Sequence, residues 1–105
     1  MSYSTTSGFS DLVGSCEISN NNVTSYTSNS KGAGTVTNLG GSNLNFRVSF
    51  SGVTRPYVIV ASANPGANGF SGNANNDGPE EAEETWAATA TAPEPVPESA
   101  YAKGE

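Results

Sequence analysis

The chain contains no histidine, and that absence excludes more than any residue it holds. Most enzyme mechanisms need a side chain that changes protonation near neutral pH, or a metal in the equivalent role. Without an imidazole, Ser-His-Asp triads, HExxH zinc sites and Cys/His zinc sites are out of reach. No glycine-rich loop runs into Lys-Ser or Lys-Thr at the spacing of a phosphate cradle. Carboxylates remain as material for a glycosidase-type pair, but Asp77, Glu80, Glu81, Glu83 and Glu84 lie in one local run. Such a pair must face each other across a substrate cleft. The chain is therefore read as a protein without enzymatic activity and without a required cofactor.

Cysteine is nearly absent as well. Cys16 stands alone, so no intrachain disulfide can form, and with no base nearby it reads as a small buried hydrophobe on a strand. Basic residues are scarce: four Lys and Arg face ten Asp and Glu, for a net charge of −6. The imbalance is local. Residues 1 to 76 hold Asp11 and Glu17 against Lys31, Arg47 and Arg55, whereas from Asp77 onward eight acids face Lys103 alone. So few cations cannot release many counterions from nucleic acid, and an acidic end repels phosphate, which argues against nucleic acid and against an anionic membrane surface as partners.

Apolar material is thin too. Hydrophobic residues make up 34% of the chain, while Ser, Thr, Asn and Gly supply 49 of its 105 residues. A chain this long can bury one modest core, so β hydrogen bonding, a few aromatics and contacts between subunits are expected to supplement it. No window approaches the run of about 18 apolar residues that a membrane helix needs. The opening MSYSTTSGFSDLVG has neither the basic nor the apolar region of a secretory signal, so folding in the cytoplasm is expected and the Asn22-Val23-Thr24 sequon reads as chance.

What is present points to strands. Residues 1 to 10, with Tyr3 and Phe9 as their only large apolar groups, read as a flexible N-terminal arm that orders on docking. Leu12, Gly14, Cys16 and Ile18 share one face of a half-buried strand, and Asn20 to Asn22 form a turn before a weaker strand from Val23 to Ser28. Ser30 to Gly34 breaks the chain, Thr35 to Leu39 fits a short strand, and Gly40-Gly41-Ser42 turns it again. Leu44, Phe46, Val48 and Phe50 alternate strictly with Asn43, Asn45, Arg47 and Ser49, giving the best-defined strand. After Pro56, Tyr57-Val58-Ile59-Val60-Ala61 is a continuous apolar run. It suits a central strand buried on both faces, or one with a face in the core and the other under a neighbouring chain.

Asn64 to Pro79 reads as a long Gly/Asn/Pro loop interrupted by Phe70. Pro79 to Glu84 has the marks of a helix start, whereas Trp86, Ala88 and Ala90 alternate with Thr85, Thr89 and Thr91 as in a strand; the strand is favoured. From Pro93 the run PEPVPESAYAKGE reads as a disordered acidic tail. The expected architecture is all-β, a small antiparallel β-sandwich or barrel-like domain over residues 11–92, between an arm (1–10) and a tail (93–105).

Two constellations could carry binding. Asn73, Asn75, Asp77, Gly78 and Glu84 match the spacing of the calcium loop D-x-[DN]-x-[DN]-G-x5-E, with Asn at the first position. Oxygen ligands at alternate positions would wrap the ion and Glu84 would close it with two oxygens. The first ligand lacks charge, and no amphipathic helices flank the loop, so a solvated acidic loop is the plainer reading. The rings of Trp86, Phe70, Tyr57 and Tyr26 could form a platform for sugars, but a core position for Trp86 and Tyr57, with Phe70 closing a loop over them, is preferred.

The stretch NFRVSFSGVTRPYVIVAS, from Asn45 to Ser62, resembles the strand, short loop, proline, apolar strand pattern of small β-sandwiches in bacteriophage virion proteins. Thr85 to Pro93, TWAATATAP, is similar to the closing strand of such domains. The resemblance covers about a quarter of the chain and brings no catalytic or ligand residues with it. It implies a virion structural protein, either a capsid decoration (cement) protein or the sugar-facing head of a fibre. A single domain lacking a shaft fits the first. The partners it implies are a second or third copy of the chain and a larger structural protein such as a major capsid protein, with a glycan as the alternative ligand. Tyr3, Phe9, Tyr57, Ile59, Phe70 and Trp86 are the residues expected at such an interface.

Overall fold

The computed structural model describes residues 1–64, 68–76 and 83–91. These form an all-β protein: β1 (Ser2–Ser7), β2 (Gly14–Ser19), β3 (Asn22–Ser28), β4 (Gly32–Ala33), β5 (Thr35–Asn38), β6 (Leu44–Ser49), β7 (Tyr57–Ala63), β8 (Gly69–Asn76) and β9 (Glu84–Ala90), with one 3-10 turn at Ser10–Leu12. All nine strands belong to one antiparallel sheet in the order β4-β3-β2-β1-β9-β8-β7-β6-β5. The order is a meander throughout except at β1/β9, where the two terminal strands pair, Tyr3 with Ala90 and Ser7 with Trp86. The sheet curls until β3 and β5 lie side by side, so it is nearly closed into a barrel.

Inward positions follow the period of two. Tyr3, Cys16, Ile18, Tyr26, Phe46, Val48, Ile59, Ala74, Trp86 and Ala88 fill the interior, while Ser4, Thr6, Ser15, Thr27, Thr85 and Thr89 face out. The β2/β3 hairpin turns through Asn20 and Asn21, both at positive φ (52° and 61°), the conformation that Asn tolerates best after glycine. The 3-10 turn folds under one end of the barrel and buries Leu12 completely.

Closure at the seam is shared between backbone and side chain, with the Gly34 N–H donating to the Tyr26 carbonyl at 2.8 Å. β4 pairs with β3, the chain shifts at Gly34, and β5 pairs with β6 instead. Across the resulting gap the Asn38 amide donates to the Val23 carbonyl and accepts from the Val23 N–H, both at 2.9 Å. It reproduces the two hydrogen bonds that a paired backbone would give.

Two sequence expectations change. Residues 2–7, expected in a flexible arm, are a strand paired on both edges at the middle of the sheet. Its near-absence of apolar residues misleads because only Tyr3 and Thr5 face the core, and Thr5 finds a hydrogen bond there. The Gly/Asn stretch expected as a loop contains the eight-residue strand β8, and its glycines are what let neighbouring strands approach. A Cβ at Gly72 would fall 2.0 Å from the Val60 carbonyl oxygen. The apolar run of β7 is buried on one face only: Tyr57, Ile59 and Ala61 are inside, Val58 is half-buried and Val60 is exposed. The Trp86 segment is the favoured strand, whereas residues 79–82 and the tail from residue 93 lie outside the described residues.

Candidate functional site

The barrel interior is built around rings. Trp86 meets Phe46 edge-on at 5.7 Å, and contacts continue from Phe46 to Tyr26 (5.9 Å), Tyr26 to Phe50 (6.1 Å), Phe50 to Tyr57 (6.2 Å) and Tyr57 to Phe9 (5.1 Å). Trp and Tyr carry polar tips that need partners once buried. Here they satisfy one another: Trp86 Nε1 donates to Tyr26 Oη at 2.9 Å, and that hydroxyl donates to the Leu12 carbonyl at 2.6 Å. Thr5 Oγ1 donates to the same carbonyl at 2.9 Å. One backbone oxygen of the 3-10 turn thus collects both hydroxyls and fixes the plug to the strands above it.

Of the residues expected at an interface, Tyr3, Tyr57, Ile59 and Trp86 are buried in the chain's own core. Phe9 and Phe70 are partly buried and packed against it, Phe70 on the Tyr3 ring at 5.6 Å. The physical reason is the scarcity of apolar residues: a chain with so few large side chains places them inside. The rings of Trp86, Tyr57 and Tyr26 are likewise buried, in edge-on or tilted contact with neighbouring rings.

The calcium-loop residues are distributed over two strands. Asn73 and Asn75 occupy outward positions of β8, while Glu84 pairs with Ala74 and so falls in the inward register of β9. Asp77 lies outside the described residues. No group of three or more His, Cys, Asp or Glu comes together as a metal site among the described residues.

Burial controls the titration of the enclosed groups. It pushes the Cys16 thiol up to about 12, with the Glu17 carboxylate adding to the effect. It likewise raises the Tyr26 phenol to about 12. Tyr57 also rises to about 12, through burial first and then through its hydrogen bond to Asp11 Oδ2 at 2.7 Å. These groups are held neutral, and Cys16 is a packing residue as its sequence position suggested.

The outer wall is mostly Ser, Thr and Asn, with one departure. Leu39 and Val60 are the exposed large hydrophobics among the described residues, 46% and 45% accessible. They fall in one cross-strand row: the Leu39 N–H donates to Asn45, Asn45 pairs with Val60, and Val60 pairs with Asn73. The adjacent row runs Thr37, Arg47, Val58, Asn75. Sequence periodicity identified neither row, because it shows which residues alternate along a strand and not which strands are neighbours.

No helix among the described residues is long and apolar enough to cross a membrane. Comparison with family models, with curated proteins and with solved structures gave no match.

Proposed function

We propose that the chain is a non-enzymatic structural protein of a virion, of the capsid decoration type, that stabilises a shell through protein–protein contacts on its outer wall. The observation that carries this reading is the filled interior. The large rings pack against one another and the tips of Trp86 and Tyr26 are mutually bonded, so recognition falls to the outside of the barrel. A rigid, small-residue wall bearing a short apolar stripe suits adhesion to another protein surface, where shape and a few apolar anchors set affinity. Partners in this reading are a major capsid protein and other copies of the chain, and the location is the virion after folding in the host cytoplasm.

The test uses shells of the virus that encodes the chain, stripped of any decoration layer. Purified protein should co-sediment with them to a fixed saturating ratio and raise the temperature at which they rupture. Protein that remains in the supernatant, or binds a glycan array while ignoring shells, overturns the proposal in favour of a sugar-recognition module.

A further inference from the structure

We infer that the outer face of β7 and β8 is a docking surface for a second copy of this chain, an inference that deepens the assembly reading and rests on it. The face has an apolar half and a polar half. β7 presents Val58 and Val60 at successive outward positions, and β8 presents Asn75 and Asn73 directly opposite them. Flanking these strands are two opposite charges. Arg47, on β6, pairs with Val58; Glu83 precedes Glu84, whose partner on β8 is Ala74, so it continues the row beyond Asn75. Along this row the order is therefore cation, valine, asparagine, anion.

That order is self-complementary under a two-fold axis. Sheets stack face to face with strands roughly aligned, about 10 Å apart, and neighbouring strands within each are about 4.8 Å apart. An isologous pair of such faces has its two-fold axis in the plane between them. With the axis parallel to the strands and midway between β7 and β8, β7 of each copy lies over β8 of the other. The two valine stripes then sit side by side, offset by one strand spacing and interleaved with the asparagines. The same operation carries Arg47 of one copy over Glu83 of the other, twice per dimer. Glu83 is exposed and Arg47 half-buried, so the pair lies at the rim, where charges set register and orientation. The wall is convex, which confines contact to these strands and makes the dimer concentration-dependent.

Sedimentation equilibrium and native mass spectrometry of the full chain test this. The parent protein should shift from monomer to dimer with rising concentration. Val60→Lys, at an exposed position, should leave it monomeric. Arg47→Glu should also be monomeric, and Arg47→Glu combined with Glu83→Arg should dimerise again, because each new Glu then faces a new Arg. Trp86 fluorescence reports whether each variant keeps its core, and if Arg47→Glu loses it, Glu83→Arg alone provides the single reversal. A parent chain that stays monomeric up to about 1 mM, a concentration that would reveal even a weak pair, overturns the inference. So does a double reversal that fails to restore the dimer. A monomer that still co-sediments with shells removes this docking face and leaves the assembly role intact; a dimer that ignores shells does the reverse.

Discussion

Replacing Tyr26 by Phe isolates the polar network that converges on the Leu12 carbonyl. The ring and its contacts with Phe46 and Phe50 are retained, so the change is confined to a hydroxyl. Trp86 Nε1 loses its acceptor inside a residue that is 1% exposed, while the Leu12 carbonyl keeps Thr5 as a donor. A buried donor left unpaired costs about 1–3 kcal/mol, so the variant should lose about 2 kcal/mol. For a domain of this size that lowers Tm by about 10 °C. Thr5→Val should cost less, about 1 kcal/mol, since Leu12 still receives the tyrosine hydroxyl. Together the two changes strip the carbonyl of both donors, and the combined loss should exceed the sum of the single losses by about 1 kcal/mol. Urea and thermal melts followed by the fluorescence of Trp86, the single tryptophan, measure all three. A Tyr26→Phe protein that melts with the parent, or a strictly additive pair, would refute the shared-acceptor network.

Alkaline pH should destabilise the fold. Cys16, Tyr26 and Tyr57 rise from 9.0, 10.0 and 10.0 to about 12, so below the lower values both states are protonated and stability is full. Above them the unfolded chain releases protons that the folded chain retains, and stability falls between pH 9 and 12; urea titrations across that range should show the decline, with Tyr57→Phe reducing its upper part. In the folded chain at neutral pH, Cys16 should react with a thiol reagent only at the rate of unfolding. Asn38→Ala should cost about 1–2 kcal/mol and speed hydrogen exchange at the Val23 amide, and Asn38→Asp should not rescue it, because a carboxylate can accept from Val23 N–H but sets charge against its carbonyl. Gly72→Ala should cost more than about 3 kcal/mol by forcing β7 from β8, whereas Gly52→Ala, at φ 83° with nothing within 4 Å of the new methyl, should cost only about 1 kcal/mol; paired thermal melts decide.

The parts of the fold that were legible in the sequence are those where one face is apolar and the other polar. Leu44, Phe46 and Val48 announce β6, and Cys16 and Ile18 announce β2, because a period of two survives in their residue types. β8 escapes the same reading. Its inward residues include Ala74 and Gly72, where a side chain would strike the backbone of β7, and its outward residues are Ser71 and asparagines, types that ordinarily mark turns. β1 escapes for a related reason: Thr5 is buried, yet a threonine looks polar until the Leu12 carbonyl is known to meet it. A core position is the preferred reading for Trp86 and Tyr57, but Tyr3 is hidden in the expected arm, and the interface expectation for Tyr3, Tyr57, Ile59 and Trp86 gives way to their burial. The outer Leu39, Val60 row was not legible, since it depends on the order of strands around the barrel.

That order also explains why so polar a chain folds as one unit. In a simple meander the first and last strands are edges, free to fray without disturbing the rest. Here β1 and β9 are neighbours at the middle of the sheet, and the Thr91 N–H donates to the Ser2 carbonyl at the end of their ladder. Each contributes to the core: Tyr3 and Thr5 from one, Trp86 and Ala88 from the other. The network through Leu12 ties the two together, because its donors come from β1 and from a tyrosine held by β9. Separation of either terminal strand therefore removes ladder bonds on two sides, a ring from the core and the acceptor or donor of a buried group at once. The free edges lie instead at β4 and β5, where β3 and β6 flank them and the Asn38 amide bridges the gap. Cooperativity in this barrel comes from placing β1 and β9 against each other, while the seam between β3 and β5 is bridged by the Asn38 amide and by the Gly34 N–H on the Tyr26 carbonyl.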